Sequence, residues 1–140
     1  MNNQVSGQNI TWERNPAIPI PPIENPLKLN VESSNIFFNG LLGSSATTLY
    51  TVGKRTKALL REIHVCNKST TDRTFTLRIV PYSVATADDY ALYKDYPVQA
   101  KESITFHHHT VLYAEWFISA LASNANDISI FLSGVEVLTL

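Results

Sequence analysis

Apolar and polar side chains alternate most regularly in residues 73–81, where Phe75, Leu77 and Ile79 fall on one side and Thr74, Thr76 and Arg78 on the other. A period of two is that of a half-buried antiparallel strand. The same rhythm recurs in residues 57–67, where Ile63 and Val65 oppose Glu62, His64 and Cys66. It recurs again near the end, where Ile128 and Ile130 alternate with Ser129, Phe131 and Ser133. Residues 36–38, 47–52, 103–106, 111–113, 116–121 and 135–140, with an isolated Val98, complete a set of short β-type runs. Clusters of turn-forming residues separate them, among them Asn39-Gly40, Gly53-Lys54 and Lys68-Ser69-Thr70-Thr71-Asp72. Gly134 is expected to mark a bulge or bend between two strands. Residues 84–93 read as a long loop, because Ala85, Ala87, Ala91 and Leu92 follow neither period for long. Eight or nine short strands at turn intervals predict an all-β antiparallel sandwich or jelly-roll-like domain.

Residues 1–35 follow a different rule. Pro16, Pro19, Pro21, Pro22 and Pro26 crowd into eleven positions, and each fixes φ and removes a backbone donor. Neither a helix nor a central strand fits such a run, so an extended N-terminal arm is predicted ahead of a domain spanning residues 36–140. Ile18, Ile20, Ile23, Leu27, Leu29 and Val31 are interleaved with the prolines and polar residues. A flexible linker normally lacks such aliphatics, and an extended chain has no interior in which to bury them. They call for a surface, either the arm's own domain or a neighbouring subunit. Trp12 is the expected anchor on another chain, since a large aromatic in an extended segment has no core of its own.

Composition narrows the function classes. The chain has 140 residues, 44% of them hydrophobic and only 16% charged, so a single domain has enough apolar material for a core. The net charge is −1 with both signs scattered, which argues against a nucleic-acid or anionic-membrane partner. No apolar run reaches the roughly 18 residues of a membrane helix, and no secretory-type opening is present, so synthesis in a cytoplasm is expected. Cys66 has no partner in the sequence and is expected to be a buried, inert thiol.

Candidate chemistry is sparse. His107 and His109 would share a face if residues 107–109 lie in a strand, offering two imidazoles to a divalent metal. A strand end or solvent-edge loop is the preferred explanation of the triplet, so no metal and no cofactor is assigned. Phosphate loops, nucleophile elbows and zinc-protease helices are absent from the sequence, and a non-enzymatic role is expected. Tyr82, Tyr90, Tyr93 and Tyr96 crowd into fifteen positions of the expected loop. Tyrosine buries much area at low entropic cost, so these four form either a second candidate contact surface or a loop packed on its own sheet.

Several runs resemble a known group of proteins. Thr48-Leu49-Tyr50-Thr51-Val52-Gly53-Lys54-Arg55, Leu60-Arg61-Glu62-Ile63-His64-Val65-Cys66-Asn67 and Thr74-Phe75-Thr76-Leu77-Arg78-Ile79-Val80-Pro81 carry the likeness. Ile118-Ser119-Ala120 and Ser133-Gly134-Val135-Glu136-Val137 extend it. Together they are similar to small structural proteins of tailed-bacteriophage virions, either capsid decoration proteins or tail-associated β-sandwich proteins. The likeness spans residues 47–137 and omits the arm. It departs at two turns, where a Pro-Ala pair before Gly53 is missing and Ala114-Glu115-Trp116 replaces a Gly-Asp turn. The resemblance implies a β-sandwich that assembles as an oligomer, often a trimer, with the major capsid protein or other virion proteins as partners. With the arm it points to a capsid decoration (cement) protein located in the virion. The alternative is a tail or baseplate component that binds a host receptor or glycan.

Overall fold

The computed structural model describes residues 30–139. Trp12, Ile18, Ile20, Ile23, Leu27 and Leu29 lie outside the described residues. Eight strands follow in order: β1 (Asn30–Leu41), β2 (Thr47–Thr51), β3 (Thr56–Asn67), β4 (Arg73–Val80), β5 (Ala91–Val98), β6 (Ser103–Leu112), β7 (Phe117–Ala122) and β8 (Ile128–Thr139). A single 3-10 turn at Asp88–Tyr90 precedes β5.

Two four-stranded antiparallel sheets form, one ordered β1-β8-β3-β6 and the other β2-β7-β4-β5. The pairs β1–β8, β2–β7, β3–β6 and β4–β5 nest inside one another. This is one long antiparallel ribbon rolled into a sandwich, closed by β3 against β8 and β4 against β7. That topology is an eight-stranded jelly roll, as the alternation predicts.

The core lies between the sheets, where Leu60, Ile63 and Val65 of β3 meet Phe75 and Leu77 of β4 and Ile118 of β7. Asn67 is fully buried at the end of β3, and all of its amide is used. Its Nδ2 donates to the carbonyls of Thr71 and Val98 at 2.8 and 2.9 Å, and its Oδ1 accepts from the Ser69 amide and hydroxyl at 3.0 and 2.8 Å. The 68–72 turn expected from the sequence is thereby tied to the core.

Several expectations are corrected. β1 begins at Asn30, so residues 30–35 pair with β8 ahead of the expected start at Ile36. Asn39-Gly40 is no turn, because Gly40 pairs with Ile130 inside β1 and the Phe38 ring lies across it. Residues 128–139 form one continuous strand in place of two. Around Gly134 the extra residue belongs to the neighbour: Leu60 pairs with Gly134 and Glu62 with Ser133, leaving Arg61 as the bulge. Cys66 is only half-buried, on the outer side of β3, opposite Ser129 and Ser103.

Candidate interaction surfaces

The tyrosine cluster divides. Residues 81–90 form the loop, but residues 91–98 form the edge strand β5, correcting the longer loop expected there. Tyr93 and Tyr96 pair with Leu77 and Phe75 and turn inward. Tyr93 lies 4.5 Å from Phe106 between ring centroids, and Tyr96 meets Phe106 edge-on at 5.3 Å. Two tyrosines three positions apart reach one face only because β5 bulges between them. Asp95 takes the left-handed conformation, with φ of 48°, and its amide donates to the Thr76 hydroxyl at 3.0 Å. Tyr93 and Tyr96 are therefore partly buried and packed against the core, not on the loop where the sequence reading put them. Tyr82 stays on the loop and is 58% exposed, while Tyr90 is half-buried at the end of the 3-10 turn.

The loop is fastened to its sheet. Arg78 Nη2 donates to Asp88 Oδ1 at 2.6 Å, and this contact holds the Asp88 carboxyl below the usual range. Lys94 bonds Asp95 at 2.9 Å, which raises the ammonium and lowers the carboxylate. Thr76 and Ser119, on the outer side of the second sheet, are buried. Arg78 and Thr76 of that face are thus paired within its own sheet and loop.

The histidine triplet lies within β6, correcting the strand-end reading and separating the three rings. His107 and His109 point outward and are exposed, as expected of residues two apart on a strand. His108 points inward, with Nε2 2.7 Å from the Tyr93 hydroxyl. Burial, reinforced by neighbouring His107, lowers the His108 pKa. Among the described residues no three His, Cys, Asp or Glu side chains are grouped to hold a metal.

The sequence reading missed the outer face of the first sheet. Cross-strand register arranges its outward side chains in rows. Glu32, Val137 and Lys57 form one row. Ser34, Val135, Leu59 and Val111 form the next. Ile36 and Ser133 lead the third, which the bulge widens by setting Arg61 and Glu62 on the same side, towards His107. Asn39, Phe131, His64 and Thr105 form a fourth, with His64 Nδ1 2.7 Å from the Thr105 hydroxyl. Two open depressions of about 530 and 350 Å³ adjoin along the third row and share Arg61 and Ser133. They are shallow features of a surface, suited to contact more than to enclosing a reaction.

No signal in a single strand reveals this face. It emerges only when the register of four strands is known, because Val135, Leu59 and Val111 come from distant parts of the chain.

No family model and no curated protein sequence matches the chain. Among solved structures it is similar to infectious bursal disease virus of the Gx strain, at 14% identity and a TM-score of 0.45, covering 88% of this chain and 36% of that one. It is also similar to the VP2 subviral particle of infectious bursal disease virus, at 13% identity and a TM-score of 0.38, covering 81% of this chain and 31% of that one. The chain spans about a third of the length of these structures.

Proposed function

We propose that this chain is a non-enzymatic structural protein of a tailed-phage virion, a capsid decoration protein whose N-terminal arm binds neighbouring capsid subunits and whose domain assembles as a trimer. One observation carries the reading. Residues 18–29 interleave aliphatic side chains with prolines, while among the described residues the two sheets have a well-filled interior built from residues 37–132. The arm's apolar groups therefore have their best use on another surface. Burying ~400 Å² of apolar area at ~25 cal/mol per Å² contributes on the order of 10 kcal/mol before ordering costs. The sequence likeness to phage virion proteins supports the choice of particle. Jelly rolls recur in viral capsid and lectin domains, which fits the reading without assigning it.

The test is binding to particles stripped of the protein. Replacing Ile18, Ile20, Ile23 and Leu27 by serine is expected to reduce occupancy at least about tenfold. Deletion of residues 1–29 is expected to abolish binding, and undiminished occupancy in both would sink the arm's role.

A second reading draws on the 81–90 loop, where Tyr82 and Val84 are exposed on one short segment. Such a loop suits a tail component that contacts a host receptor or glycan. Immunogold labelling separates the two readings: capsid label supports decoration, and label confined to the tail tip replaces it.

A further inference from the structure

We propose that the outer face of the first sheet is a two-fold contact between copies of this chain, with Glu32 of each copy set over Lys57 of the other. This inference is independent of the arm and rests on different residues.

The two sheets treat their outer faces differently. On the second sheet Arg78 is paired with Asp88 and Thr76 with the Asp95 amide. On the first, Val135, Val137, Leu59 and Val111 stand together on outward positions, where an antiparallel sheet facing water normally carries polar side chains. Ile36 borders them at 61% exposure, and Val111 is 43% exposed. The apolar residues come from all four strands, so they form one patch, of the kind that marks a contact site.

The charges select the occupant. Glu32 and Lys57 flank Val137 from opposite sides, one on β1 and one on β3, in direct register with it. Both are exposed. A two-fold axis lying in the plane of contact and running along β8 lays β1 of one copy over β3 of the other. The acid of each then meets the lysine of its mate, and Val135, Val137 and Phe131 lie over their own counterparts. A symmetric pair produces both ion pairs from one surface, as isologous contacts do. Aligned stacking of sheets about 10 Å apart needs no change in either fold.

Area sets the strength. About that axis β1, β8 and β3 overlap while β6 lies outside the contact, and three strands at ~4.8 Å spacing and about ten residues long cover roughly 480 Å². That is below the ~800 Å² per partner of a standard stable interface, so a dissociation constant in the micromolar range is expected. In a trimeric particle protein, a two-fold contact joins protomers of neighbouring trimers.

Sedimentation velocity on the full chain tests this. The wild-type protein is expected to show a two-fold association, and Glu32→Lys or Lys57→Glu alone is expected to weaken it at least about tenfold, because each reversal turns two attractions into two repulsions. The double exchange is expected to restore it. Mixing the two single variants is also expected to restore it, since the lysine pair of one then faces the acid pair of the other. Thermal melts of each variant confirm the fold, and a merely structural defect is not rescued by mixing. Absence of two-fold association up to about 1 mM, the −4 kcal/mol limit, overturns the proposal. Association that ignores both reversals overturns it too, and loss of that association on deleting residues 1–29 would name the arm as occupant of the face. Failure here leaves the arm's binding to particles untouched.

Discussion

At the residue scale the tightest constraint is at Gly134. A Cβ built there would lie 1.9 Å from the Leu59 carbonyl oxygen and 3.0 Å from the Phe37 ring. The oxygen belongs to the β3 backbone beside the Arg61 bulge and cannot step aside as a side chain would. Gly134→Ala is therefore expected to cost at least about 3 kcal/mol in denaturant unfolding, because the β3–β8 register must give way. Gly40→Ala serves as the contrast: its Cβ meets the end of the Phe38 ring at 3.1 Å, and that ring can turn. Equal costs at the two positions would refute the assignment. The sequence marks Gly134 as special but places the bulge on the wrong strand. A single chain of symbols shows where a side chain is missing and not which neighbour fills the space. Asn67 was equally silent, since a buried amide with four partners looks like any polar residue before a turn until Val98 is brought beside it.

At the element scale the contact between β5 and β6 carries the pH dependence. His108 faces inward beside Tyr93, and burial first, then His107, holds its pKa below the ordinary histidine value. Folded His108 thus binds a proton more weakly than unfolded His108. Its neutral form contributes stability that is complete above about pH 6.5, the unfolded value, and is lost as pH falls from there through the folded value. His108→Gln keeps a polar partner for Tyr93 without titrating, so the fall in melting temperature from about pH 7 to pH 5 is expected to be smaller than in wild type. An unchanged slope would exclude His108 as a source. The element boundaries explain which strands could be read in advance. β4 was legible because Phe75, Leu77 and Ile79 keep one parity. β5 was not, because its bulge at Asp95 breaks the alternation and puts Tyr93 and Tyr96 on the same side. β6 was split in the reading because three histidines look like an edge, whereas the strand simply alternates them out, in and out. Asn39-Gly40 misled for the opposite reason: a strong local turn signal was overruled by pairing with Ile130 and by the Phe38 ring.

At the scale of the whole molecule, the ribbon topology makes the first and last of the eight described strands unequal. β8 lies between β1 and β3, so the last of the eight described strands is an interior member of its sheet. Ile128, Ile130 and Leu132 carry its inward side into the core. Ending the chain at Asn126 would strip β1 of its only paired strand among the described residues and open β3 along one edge, with the buried faces of Leu60 and Ile63 left uncovered. Such a chain is expected to lose its cooperative thermal transition altogether, because no partial sheet replaces a central strand. Deletion of residues 1–29 removes none of the eight strands, and the transition is expected to remain cooperative. Circular dichroism melts of both truncations check the pair. Should the arm deletion unfold the domain while the C-terminal truncation leaves it cooperative, the stability of the sandwich would rest on residues 1–29, and the proposal that they serve a neighbouring subunit would fall.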